Sequence, residues 1–214
     1  MFVHHVKVYQ DESGYRRVVT HSVQLIVGRG EAITRFLRRW PGSRAIDLTG
    51  GWQAIPLEDD LYELIAAAYA GVVKPDALDM APAGLMEALA EATSPGAVLA
   101  YVETEYFGGT GGQSAVAFAA GRQVFAPARS KGASGPINSA LRAIGVERTG
   151  SQDEFDTIGL GARRTMDDYS PEGPRRMRRA AETPAGGRAK GAPLWVVIVI
   201  IVLAIAMGVG VAGG

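Results

Sequence analysis

The sequence predicts an α+β protein in which small antiparallel sheets, built from β-hairpins, carry packed helices and precede one C-terminal transmembrane helix. Runs rich in Val, Ile, Thr and Tyr alternate with turn sequences, a pattern typical of hairpin strands. Segments with apolar residues three or four positions apart indicate amphipathic helices between these runs. The third observation is the stretch 194–212, which has no charged residue and is long enough to cross a bilayer.

Residues 1–80 are expected to form the first α+β subdomain. Phe2–Gln10 and Tyr15–Gly28 are strand-like and are separated by DESG, so they predict a hairpin. Helical spacing of apolar residues follows in 30–40 and again in 56–71. The segment 44–48 between these two helices suggests a short strand.

The predicted hairpin brings two histidines together. If Gln10 and Tyr15 close its loop, His4 lies opposite His21. Two facing imidazoles can begin a metal site, but no third ligand follows at a defined spacing. The alternative is an ordinary pair of residues on one strand face, and we expect no metal here.

Residues 81–169 are expected to form a second α+β subdomain. A helix is predicted at 81–93, and two strand-like segments, 96–107 and 113–127, flank a glycine-rich stretch. Within the second segment, Ala120 and Gly121 predict a turn that leads to a third strand. A last helix is predicted at 135–146, because it has proline at its start and glycine near its end.

The glycine-rich stretch EYFGGTGGQS, residues 105–114, raises the question of phosphate binding. A P-loop needs Lys and then Ser or Thr after its last glycine, but Gln113 and Ser114 follow Gly112. A dinucleotide-binding loop that begins at Gly109 would need glycine at position 114. Alternation beyond the loop favours a strand over the helix that both motifs require. We therefore expect a wide turn between strands, and no cofactor.

Two carboxylates precede this turn, Glu103 and Glu105, with a spacing that puts both on one face of a strand. Such a pair can act as acid and base, bind a metal, or form a solvated strand edge that prevents aggregation. Aromatic residues beside acids can also recognise a protein partner. The candidates for partner binding are Glu103, Glu105, Tyr106 and Phe107.

A second group of acids flanks two arginines in residues 153–168, shortly before the end of the second predicted subdomain. It lacks the order of a calcium loop, so it predicts either a charged surface or an acidic docking surface. The chain also has no cysteine and no Gly-x-Ser-x-Gly motif, so we expect no enzymatic active site. These acids are Asp153, Glu154, Asp156, Asp167 and Asp168.

The segment 194–212 predicts a single-pass tail anchor in the cell membrane. At about 1.5 Å per residue it covers roughly 28 Å, whereas the alternative, a buried core helix, usually carries polar residues. Basic residues precede the segment and no charge follows it, so the positive-inside rule places the N-terminal head in the cytoplasm. The basic residues are Arg175, Arg176, Arg178, Arg179, Arg188 and Lys190.

Residues 170–193, rich in Pro, Gly and charge, predict a flexible tether that reaches roughly 25 to 30 Å. Its basic residues favour anionic lipid headgroups as a partner. The chain before Arg175, in contrast, holds 16 of the 22 basic residues and 21 of the 22 acidic residues. This acidic head argues against nucleic acid as a partner.

Within the predicted anchor, Ala204, Gly208 and Ala212 recur every four positions. Small residues on one helix face allow close approach of a second helix, so the pattern predicts a homodimer through the membrane. Chance spacing in a Gly- and Ala-rich segment is the alternative.

Three strings, YVETEYFGGTGGQSAV, GPINSALRAIGV and DEFDTIGLG, resemble a short, functionally uncharacterised domain type of high-GC bacteria. The resemblance covers residues 96–169. It implies an immunity-like or partner-binding protein and supplies no site residues.

These observations favour a tail-anchored membrane protein whose cytosolic head binds another protein or regulates it. One alternative is an immunity-like or stress-response module that acts on a membrane-acting system. The other is a nucleotide-binding or hydrolytic enzyme, which would need a concave pocket near Glu103 and Glu105.

Overall fold

The computed structural model describes residues 6–10, 16–94, 96–107, 110–132 and 135–170. They belong to one compact unit, which ends at Pro174. The predicted anchor and all of the predicted tether except Ser170 lie outside the described residues. Among the residues that are described, none of the helices is both long and apolar enough to span a membrane.

The described strands form antiparallel pairs throughout. Six of them make one sheet in the order β3-β4-β2-β5-β6-β7, and β1 pairs with the first half of β2. Their bounds are β1 Val6–Gln10, β2 Arg16–Gly28, β3 Ile46–Asp47, β4 Gln53–Pro56, β5 Val98–Phe107, β6 Thr110–Ala119 and β7 Arg122–Lys131.

Four α-helices occupy the segments where apolar spacing predicts them. A fifth, short α-helix at Glu154–Thr157 was not predicted. Pro136 starts α4, and Gly145, with φ of 91°, follows its end as the sequence predicts. The bounds are α1 Glu31–Arg39, α2 Asp59–Ala68, α3 Leu85–Ala92, α4 Pro136–Ala143 and α5 Glu154–Thr157.

Helices cover the sheet on both faces, which gives the fold two apolar cores. Alternate residues of β5 point to opposite faces, so Leu99 and Tyr101 pack with α1, α2 and α3, whereas Ala100 and Val102 pack with α4. This burial on both sides explains the uninterrupted apolar runs 25–27 of β2, 98–102 of β5 and 115–119 of β6.

The two predicted subdomains contribute strands to the same sheet. β2 pairs with β5 from His21 opposite Tyr106 to Gly28 opposite Leu99. The sheet therefore continues across the boundary predicted at residue 80.

The β1–β2 register differs from the predicted one. Gln10 lies opposite Arg16 and not opposite Tyr15, and a shift of one residue changes every facing pair. The observed register therefore does not support a pair between His4 and His21; His4 itself lies outside the described residues. The Nδ1 atom of His21 instead lies 2.6 Å from the hydroxyl oxygen of Thr104 on β5.

Candidate functional site

The residues on either side of Gly108 and Gly109 pair as adjacent antiparallel strands. Phe107 pairs with Thr110, so only two residues separate β5 from β6. Gly111 and Gly112 belong to β6 itself, opposite Tyr106 and Glu105. The predicted turn between strands is confirmed, but the predicted width is wrong because the strand starts three residues earlier than expected.

Glu103 lies in the middle of the sheet and not at an edge. β5 has β2 on one side and β6 on the other, and Glu103 is only 2% exposed. The expectation of a solvated strand edge is therefore wrong for this residue. A buried carboxylate is costly unless hydrogen-bond donors surround it.

Hydrogen-bond donors from a distant segment and from Tyr101 on the same strand surround the Glu103 carboxylate. Oε1 accepts the Asp79 N–H at 2.8 Å; Oε2 accepts the Met80 N–H at 3.1 Å and the Tyr101 hydroxyl at 2.8 Å. Burial raises the pKa of Glu103 above its ordinary value, and hydrogen bonds from Tyr101, Ser114 and the two backbone groups oppose this rise. Glu103 thus holds the connection between α2 and α3, residues 69–84 and here called the α2–α3 segment, against the sheet. Its carboxylate is buried and is not available to a protein partner.

A cleft of about 620 Å³ opens beside Glu103. The sheet register sets its walls, because Glu105 pairs with Gly112, which in turn pairs with Lys131. In the next row, Ser114 lies between Glu103 and Arg129. The β5 wall is therefore acidic, the β7 wall is basic, and short residues of β6 form the floor.

Asp79 and Met80 of the α2–α3 segment complete the lining. Asp79 Oδ2 lies 2.5 Å from the Arg129 guanidinium, which closes one side of the cleft with an ion pair. The two side chains are 46% and 49% exposed, so this ion pair contributes roughly 0 to 1 kcal/mol to stability. In the described part of the chain, neither Glu105 nor Lys131 forms an ion pair or a side-chain hydrogen bond.

The hydroxyl of Tyr106 forms hydrogen bonds to other residues of the same domain. It donates to the carbonyl oxygen of Gly132, and the Gln113 amide donates to the Tyr106 oxygen at 3.0 Å. Burial raises the pKa of this phenol. Tyr106 therefore holds the ends of β5 and β7 together, while Phe107, 50% exposed, remains open to contact.

Of the four residues predicted to bind a partner, Glu103 and Glu105 line the cleft, and Phe107 lies at the hairpin end of β5. Sequence reasoning missed Asp79, Arg129 and Lys131. A signal for the bases was present, since acids at 103 and 105 face bases at 129 and 131 once the two hairpins are drawn in register.

Three acids of the second group stabilise local structure. Asp153 accepts the N–H of Asp156 at 2.9 Å and caps α5, and buried Glu154 pairs with Arg142 at 2.6 Å. Asp168 accepts the N–H of Thr165 at 3.0 Å. Within the ranges that the structure covers, no cluster of His, Asp and Glu is arranged to hold a metal ion.

Comparison of the chain with protein-family models, with curated proteins and with solved structures yields no match. The resemblance of residues 96–169 to a bacterial domain type stays a prediction. Fold and site define an α+β domain, with an antiparallel sheet covered by helices on both faces and a charged cleft beside Glu103. Function has to be argued from the geometry of that site.

Proposed function

We propose that this chain is a single-pass membrane protein whose cytosolic α+β head binds another protein at the inner face of the membrane. The observation that carries the binding proposal is Phe107, which is 50% exposed at the end of the ten-residue strand β5. Aromatic residues are enriched in protein interfaces. The neighbouring Tyr106 hydroxyl donates to the carbonyl oxygen of Gly132, which ties the end of β5, where Phe107 lies, to the end of β7.

The membrane part of the proposal is supported by the uncharged stretch 194–212 and by the basic residues before it. Extraction of cell membranes with alkaline carbonate tests it. We expect the full chain to stay in the pellet and a chain that ends at Ala192 to be released. Release of the full chain would contradict the anchor.

Photo-crosslinking in intact cells tests the binding surface. We expect a benzoylphenylalanine placed at Phe107 to capture a defined protein, because the side chain already reaches solvent there. Val124 is the matched control, since it is 47% exposed on β7, toward the opposite end of the hairpin. A membrane-resident protein in the adduct supports regulation, and a toxin-like protein supports the immunity-like alternative.

Substitutions at Phe107 and Val124 test the same surface through the affinity for the partner protein. Phe107→Ser is expected to weaken partner binding about tenfold or more, as for an aromatic hot spot. Val124→Ser is expected to leave binding unchanged, and each variant should change stability by less than about 0.5 kcal/mol. Equal crosslinking at both positions, or full binding by Phe107→Ser, would exclude this surface.

A further inference from the structure

The cleft above Gly112 holds two charges of opposite sign that face each other across the floor. Glu105 on β5 and Lys131 on β7 both pair in register with Gly112. Two strand spacings separate their backbones by roughly 9.5 Å. Because Gly112 has no side chain, nothing from the floor fills the space between these walls.

The other charged groups of the cleft already have partners. Glu103 accepts two backbone N–H groups and the Tyr101 hydroxyl, and Asp79 pairs with Arg129. This leaves Glu105 and Lys131, in the described part of the chain, as one carboxylate and one ammonium group that a ligand can meet. Charge-assisted hydrogen bonds to such groups are among the stronger polar contacts.

The charge pattern selects among classes of ligand. A purely anionic ligand that contacts Lys131 would also lie near the carboxylates of Glu105 and Asp79. A purely cationic ligand at Glu105 would lie near Lys131 and Arg129. The volume of about 620 Å³ falls within the roughly 300 to 1,000 Å³ of small-molecule sites. A compact molecule that carries one positive and one negative group can pair with Glu105 and with Lys131 at the same time.

We propose that this cleft binds a small zwitterionic molecule about the size of a dipeptide, with its ammonium group at Glu105 and its carboxylate at Lys131. The proposal is independent of partner binding at Phe107, because it depends on the interior of the cleft and not on the exposed end of the hairpin. No reaction is implied, only recognition.

Titration of the full chain in detergent micelles, followed by amide NMR signals, tests this proposal. The probes are alanylalanine, its N-acetyl form, which keeps only the negative charge, and its C-terminal amide, which keeps only the positive charge. We expect alanylalanine to shift the signals of Gly112, Ser114 and Gly132 to saturation. Each capped form should bind about tenfold more weakly, as loss of one charged contact implies.

Two neutral variants assign the ends of the ligand. Lys131→Met should bind alanylalanine and its amide equally well, because the carboxylate contact is gone. Glu105→Gln should likewise bind alanylalanine and its N-acetyl form equally well. Arg122→Met, at the opposite end of β7, is the control and should keep the full preference for the zwitterion.

The proposal is overturned if alanylalanine gives no saturable shifts in the cleft, or if all three probes bind alike. It is also overturned if Arg122→Met loses as much affinity as Lys131→Met. Retained dispersion of the amide spectrum shows that each variant is folded. Partner capture at Phe107 is measured separately, so failure of one proposal is distinguishable from failure of the other.

Discussion

Glu103→Ala is expected to lower the free energy of unfolding by roughly 2 to 4 kcal/mol. The substitution removes the acceptor of the Asp79 and Met80 N–H groups and of the Tyr101 and Ser114 hydroxyls. A buried donor left without an acceptor costs about 1 to 3 kcal/mol. Two effects make the total loss smaller than the sum over all the donors. The buried charge of Glu103 is removed, and water from the cleft can bond to the donors.

Urea unfolding in detergent micelles measures this effect through the fluorescence of Trp40 and Trp52, which are 4% and 5% exposed. A Trp195→Phe background removes the tryptophan of the predicted anchor. Glu105→Ala is the control, since it changes a carboxylate on the same strand face and should cost less than about 0.5 kcal/mol. Equal losses in the two variants would show that the contacts of Glu103 are not the cause.

Glu103→Gln should change the pH dependence of stability. Burial raises the pKa of Glu103 above its ordinary value of 4.5, so the folded state holds this proton more tightly than the unfolded state. As pH rises from below 4.5 through the raised pKa, wild-type stability should therefore fall relative to the Gln variant. Above that window the difference should be constant. Parallel pH profiles would contradict the assignment.

Gly84→Ala is expected to destabilise the head by roughly 2 to 5 kcal/mol, from left-handed backbone strain and overpacking. Gly84 precedes α3 with φ of 81°. An added Cβ would overlap the Cβ of Tyr69 and lie 2.5 Å from its Cγ. No change of rotamer relieves this overlap, because the Cβ of Tyr69 is bonded directly to the backbone; the Tyr69 ring also packs against that of Trp40 with centroids 6.3 Å apart.

Gly71→Ala is the matched control for Gly84→Ala. Gly71 has φ of 88°, and no heavy atom of the described residues lies within 4 Å of an added Cβ. It should cost only the backbone strain, about 1 to 2 kcal/mol. The same urea titration compares the two, and equal effects would show that Tyr69 yields to the added methyl group.

Glu103 and Gly84 act on the same segment, the connection from α2 to α3. Buried Leu78 and Ala81 pack this segment into the first core, and Glu103 holds its backbone at Asp79 and Met80. A connection of this length without regular structure is uncommon in a compact domain unless it serves a function. Here it supplies one wall of the cleft.

Local sequence patterns predicted most of the helices and strands. The spacing of Ile33, Phe36 and Leu37 predicted α1, and alternation in residues 96–107 predicted β5. β4 was not predicted, because Gln53–Pro56 is short and contains proline. The start of β6 was missed because glycines usually weaken a strand, and here they lie inside one.

Burial of Glu103 could not be predicted from its neighbours. Its donors at Asp79 and Met80 lie more than twenty positions earlier in the chain, and an acid between strand residues is ordinarily exposed. The basic wall was missed for a related reason, since Arg129 and Lys131 meet the acids only across β6.

Helices and strands with a clear period, the acidic balance of residues 1–174 and the uncharged segment 194–212 can be read from residues that are adjacent in the chain. Tertiary structure alone decided the strand order, the registers and the burial of Glu103. These features depend on pairing between distant segments, and such pairing is set by the energy of the assembled core. The cleft belongs to this second group, since each of its walls comes from a different part of the chain.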